Sequence, residues 1–221
     1  MRKNSVSLFV FALMFLFSCL TAGIATGIGP VTEGRIKENV YTAKNNMFSI
    51  AVPHKQGTYE YACMAVKEEF RGKDGAYVSF GPAAFNQGIY RIGLYRINDT
   101  AGLDAVATKL VENYKKQLEA SYGTTLKILQ SDVSDTINGK NTRYWKLSQE
   151  TPVGVTFNDS KPEILNVTNI HEVFVIDFGS LKALVWVQLP DRDQPTPSLT
   201  ATSNLSPGIA ARTFAESLIV Y

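Results

Sequence analysis

Residues 171–189 read HEVFVIDFGSLKALVWVQL. Two apolar segments, His171 to Phe178 and Leu181 to Leu189, flank Gly179-Ser180, a pair suited to the type II′ turn of a tight hairpin. A two-residue turn sets Phe178 opposite Leu181 and Asp177 opposite Lys182. Nearly every position in both segments is apolar, where a strand wetted on one face would alternate with polar residues. The pattern predicts two central strands covered on both faces. The fold therefore needs a layer on each side of its sheet.

The same signals recur upstream. Leu126 to Ile137 and Lys140 to Gln149 flank Asn138-Gly139, the strongest short-range hairpin signal. Before them, Leu103, Val106, Leu110, Tyr114 and Leu118 fall at steps of three and four, with Ala107 and Val111 widening the stripe, which predicts a helix. Lys109, Glu112, Lys115, Lys116 and Glu119 form its solvated face. Gly123 stands where a left-handed C-terminal cap is wanted, and Asn98-Asp99-Thr100 offer N-capping oxygens. Tyr90 to Ile97, YRIGLYRI, alternates and predicts a strand with one wet face. Tyr61 to Phe70 and Ala76 to Gly81 read as strands joined through Lys73-Asp74-Gly75, and Met47 to Pro53 as a strand closed by its proline. Pro207 to Val220, with Ile209, Phe214 and Leu218, reads as a closing helix. Thr151 to Asn169 and Asp191 to Ser206 read as two long loops. The class is α+β, a mostly antiparallel sheet covered by helices.

The chain has 221 residues, 45% hydrophobic and 19% charged, which suits one globular domain. Without Arg2 and Lys3, its 22 basic residues fall to 20 and balance 20 acidic ones. Nucleic acid is a poor partner, since its binders carry a basic excess.

Arg2 and Lys3 precede an apolar run, Val6 to Phe17, of the length of a signal-peptide h-region and short of a membrane span. Leu16-Phe17-Ser18-Cys19 follows. Leu16, Ser18 and Cys19 resemble the lipobox of bacterial lipoproteins, while Phe17 departs from it. The resemblance implies cleavage between Ser18 and Cys19 and a diacylglyceryl group on the Cys19 sulfur. It predicts a leader over 1–18, a Gly/Thr-rich tether over 19–39 and one domain over 40–221. The membrane is then a partner through the lipid on Cys19. The implied address is the bacterial cell envelope, facing the periplasm or exterior, at the outer membrane of a diderm. Gly23-Ile24-Ala25 offers an ordinary signal-peptidase site instead, and the uncharged run from Lys3 to Glu33 leaves an uncleaved anchor as a third reading.

The order of elements, from MFSIAVP (Met47–Pro53) through the helix to the DTINGKNTRYWKL hairpin (Asp135–Leu147), the second hairpin and a C-terminal helix, resembles the PsbP/DcrB-like family. The resemblance covers about Val40 to Tyr221 and implies a small α/β/α sandwich, often exported and lipid-anchored. His54 stands where a tryptophan is common in that family. No catalytic residue carries over.

Chemistry is sparse. His54 and His171 are far apart and belong to no closely spaced ligand set, so surface positions are expected for both and no metal or cofactor is implied. Cys63, His171 and Asp177 are the only nucleophile, base and orienter to nominate. Residues 171 and 177 share a face but lie roughly 20 Å apart along a strand at about 3.3 Å per residue, and Lys182 competes for Asp177. Glu68 and Glu69 are adjacent and point to opposite faces of a strand. With Cys19 lipidated or removed, Cys63 has no partner for an intrachain disulfide. Trp145, Trp186, Tyr90, Tyr95 and Tyr144 are expected as core packing. These observations predict a lipid-anchored binding or accessory protein with an envelope protein partner and no catalytic residues. An envelope enzyme using Cys63, and a carrier of an apolar ligand between sheet and helix, are the alternatives.

Overall fold

The computed structural model describes residues 34–53, 65–70, 75–81, 88–97, 102–155, 163–191 and 208–221. In chain order its elements are β1 (Arg35–Lys37), β2 (Val40–Thr42), β3 (Phe48–Ala51), β4 (Ala65–Phe70), β5 (Gly75–Gly81), β6 (Ile89–Arg96) and α1 (Leu103–Tyr122). Then follow β7 (Leu126–Ile137), β8 (Lys140–Val155), β9 (Glu163–Phe178), β10 (Leu181–Pro190), α2 (Ala211–Glu216) and β11 (Ile219–Val220). Seven strands form one sheet in the order β4-β5-β6-β10-β9-β8-β7, and a smaller sheet runs β1-β2-β3-β11. Every described pair is antiparallel. The molecule is a mixed α+β fold with an antiparallel sheet at its centre.

The two glycine hairpins form in the expected register. Ile137 pairs with Lys140 around Asn138 and Gly139, which both have positive φ (50° and 72°), as a type I′ turn requires. Phe178 pairs with Leu181 and Asp177 with Lys182 around Gly179, φ 78°. Lys182 Nζ closes on Asp177 Oδ1 at 2.8 Å. Joining β10 to β6, Trp186 beside Arg91, fuses the early meander β4-β5-β6 with the later one, β7 to β10.

Both faces of β10, and of β9 from His171 onward, are covered. Phe174, Ile176, Ala183, Val185 and Val187 point into one core, which the small sheet and α2 close with Tyr41, Phe48, Ile50, Ala211 and Phe214. Phe80 meets Tyr41 and Phe214 edge-on, with ring centroids 5.2 and 5.9 Å apart. Val173, Val175, Leu184 and Trp186 point into the other core, beneath Ala107, Val111, Tyr114 and Leu118 of α1. The helix keeps the expected stripe and ends on Gly123 in the left-handed conformation, its N–H donating to the Glu119 carbonyl.

Five expectations are corrected. Arg35–Lys37 and a turn with Glu38 and Asn39 at positive φ form β1 and its hairpin to β2, inside the stretch read as tether. The N-cap of α1 is Gly102 with no side-chain cap; 98–100 lie outside the described residues. The YRIGLYRI strand has no wet face along most of its length, because Arg91 and Gly93 are buried beneath the α1 layer. The loop expected at Thr151–Asn169 is largely strand: β8 runs on to Val155 and pairs with β9 from Glu163. Pro152 is tolerated there because β7 stops flanking β8 at Gln149, so one side of its backbone has no ladder to serve. The closing helix is only Ala211–Glu216. After it the chain extends into β11 and pairs with β3, and the Tyr221 hydroxyl meets Ser49 Oγ at 2.8 Å.

Candidate functional site

The residues with most chemistry lie between α1 and the sheet. Trp186 on β10, His171 on β9 and Gln149 on β8 come from three neighbouring strands and face the helix. All three are buried, His171 and Trp186 completely. An indole N–H only donates. The 2.8 Å bond from Trp186 Nε1 to His171 Nδ1 therefore makes Nδ1 the acceptor. The ring proton sits on Nε2 and is donated to Gln149 Oε1 at 3.0 Å. Gln149 in turn donates from Nε2 to the Thr124 hydroxyl. Desolvation, with a smaller contribution from the charge of Arg91, lowers the His171 pKa to about 3. The imidazole is a neutral link in a one-way chain of donors.

A second set completes the layer. Tyr114 of α1 lies 4.8 Å from the Trp186 ring and shares a 2.9 Å hydrogen bond with the Tyr77 hydroxyl. Burial pushes its phenol pKa far up, partly opposed by Arg91. Arg91, only 6% exposed, donates from Nη1 to Gln188 Oε1 at 3.5 Å and from Nη2 to the Tyr122 hydroxyl at 3.2 Å. Tyr122 occupies the last turn of α1, which has no basic residue of its own. Arg91 thus stands beside the negative end of the helix dipole.

The residues nominated from sequence fare unevenly. Ser18, Cys19, His54 and Cys63 lie outside the described residues. His171, expected at the surface, is instead fully buried: its side chain faces α1, and Gln149 and Trp186 satisfy both nitrogens that would otherwise need water. Asp177 is not brought to His171; it accepts from Lys182 and from the Gly179 backbone. The expectation for Trp145, Trp186 and Tyr90 holds, since all three are core residues, and Tyr95 and Tyr144 are half-buried. Arg91 and Gln149 were not nominated. The signal that existed was polar residues at regular spacing on strands whose neighbours are apolar.

Among the described residues, no three His, Cys, Asp or Glu side chains are grouped to hold a metal, and no helix is long and apolar enough to cross a membrane. Two shallow depressions flank the cores. One, of about 270 Å³, is lined by Ile137, Lys140, Phe178, Leu218 and Ile219 among others. The other, of about 310 Å³, lies where the donor chain surfaces and is lined by Thr124, Thr125, Lys127, Ser148 and Glu150.

No family model matches the sequence, and no curated protein matches it. The chain is similar to a crystal structure of a protein from Bacteroides thetaiotaomicron VPI-5482, at 13% identity and a TM-score of 0.38. The match covers 84% of this chain and 49% of that one, so the chain spans about half that protein's length.

Proposed function

We propose that this chain is a lipid-anchored binding or accessory protein of a bacterial cell envelope, held at the membrane through Cys19. The observation that carries the reading is the leader: a basic start, an apolar run over Val6–Phe17, and Leu16, Ser18 and Cys19 in lipobox positions. Two acyl chains give stable anchoring where one is marginal. The geometry of His171 and Asp177 counts against the triad alternative. His171 has both nitrogens engaged and Asp177 is tied to Lys182, so neither is poised to activate a nucleophile. The order of strand meander, long helix and paired hairpins supports kinship with the PsbP/DcrB-like group, with the small sheet sharing one face with α2.

The test is Cys19→Ala in a bacterial host, with membrane fractionation and palmitate labelling. The native chain should label and sediment with membranes, and its precursor should accumulate when signal peptidase II is inhibited. The variant should lose the label and remain an unprocessed precursor at that step. Equal labelling of both proteins refutes the lipoprotein reading. Processing after Ala25 in both points to plain secretion.

A further inference from the structure

The layer under α1 holds a charge that no described carboxylate neutralises. Arg91 is 6% exposed, and its hydrogen bonds go to two neutral acceptors, Gln188 and Tyr122. A guanidinium has five N–H donors, and burying it with no anion is strongly unfavourable. The C-terminal end of α1 offsets part of this, as roughly half a negative charge at short range. What remains is a cluster rich in donors. Tyr122 accepts from Arg91, so its own proton is free to donate, and its side chain is 46% exposed. Gln188 accepts through Oε1, which leaves its amide N–H groups to donate. Ser79 stands opposite Arg91 in the ladder between β5 and β6.

We propose that Arg91, Tyr122 and Gln188 form a recognition site for an oxyanion, a carboxylate or phosphate group, entering where Tyr122 meets solvent at the end of α1. A guanidinium presents parallel N–H groups that match either anion in a bidentate manner. The proposal deepens the binding reading by naming a ligand class, and it does not depend on the lipid.

Thermal unfolding of the full chain in non-ionic detergent tests it, in sodium chloride, acetate or phosphate at equal ionic strength. The recognised anion should raise Tm above the chloride value by about 4 °C or more once it exceeds its Kd about thirtyfold. A response to acetate alone assigns a carboxylate, and a response to phosphate alone assigns a phosphate. Arg91→Gln should abolish the increment. If that variant does not fold, Tyr122→Phe and Gln188→Leu decide, each expected to reduce it. Equal Tm in all three salts, or an increment that survives in the variants, overturns the proposal. Cys19→Ala should leave the increment intact, so failure of the anchor and failure of the anion site are separate results.

Discussion

Lowering the pH from 8 to 5 should destabilise this protein through His171. In the folded state the imidazole titrates near pH 3, because it is fully buried and its Nδ1 faces the indole N–H of Trp186. In the unfolded chain it titrates near 6.5. Between these values the unfolded state binds more protons, so stability rises with pH. The contribution is complete above pH 6.5 and is lost progressively as pH falls toward 3. For one site with these two pKa values, the difference between pH 8 and pH 5 is about 2 kcal/mol, or roughly 4–8 °C in Tm for a domain of this size. The window is clear of the carboxylates. Asp135, Glu119 and Asp177 are held below their ordinary pKa values of 3.8, 4.5 and 3.8, so their contributions fade only below about pH 5.

The assay is urea unfolding of the native chain and of His171→Gln at several pH values. The variant should be weaker at pH 8 and nearly flat down to pH 5. The difference between the two curves isolates His171, because every other titratable group is common to both proteins. Imidazole nitrogen shifts should show a neutral ring protonated at Nε2 at pH 5. Parallel pH profiles for the two proteins, or an imidazolium spectrum for His171 at pH 6, would refute the reasoning.

Trp186→Phe removes the donor to His171 Nδ1 and leaves a buried acceptor unpaired, with an expected loss of about 1–3 kcal/mol beyond the smaller ring's packing deficit, read from urea midpoints. Gly123→Ala meets no atom within 4 Å but forces a Cβ into the left-handed region at φ 65°, so about 1–2 kcal/mol should be lost through backbone strain alone. Helix α2 offers an internal contrast. Phe214→Ala, fully buried against Phe80 and Tyr90, should cost about 3–5 kcal/mol. Arg212→Ala two residues away breaks a surface pair with Asp135 and should cost less than about 1 kcal/mol, an effect that fades in 1 M salt.

What could be read from the sequence were the elements whose signals are local. Asn138-Gly139 and Gly179-Ser180 fixed two hairpins because positive φ is a property of one or two residues. The α1 stripe was visible because five turns of helix repeat the pattern. Of the small sheet only β3 was legible, through the proline that closes it; β1, β2 and β11 are two or three residues long, too short for any period, and β11 finds β3 only through tertiary contact. Arg91 was read as a solvated side chain because polarity marks a wet face unless something covers it, and what covers it is a helix later in the chain. His171 is expected at the surface only because it belongs to no closely spaced ligand set. Its burial depends on Trp186 and Gln149, partners that a sequence separates and a sheet register brings within hydrogen-bond distance.

The pairing of Val220 with Phe48 also sets a timetable. The core that holds Phe80 and Tyr90 is closed by Phe214 and Leu218, and the small sheet is completed by the final strand. Phe214, Leu218 and β11 lie far along the chain from β3 and β5, so this core cannot close until α2 and β11 have been made. Until then β3 has an open edge and the early meander lacks β10, its partner about ninety residues further on, the kind of non-local pairing that forms slowly. A chain made from its N-terminus therefore stays an incomplete fold until α2 and β11 can dock.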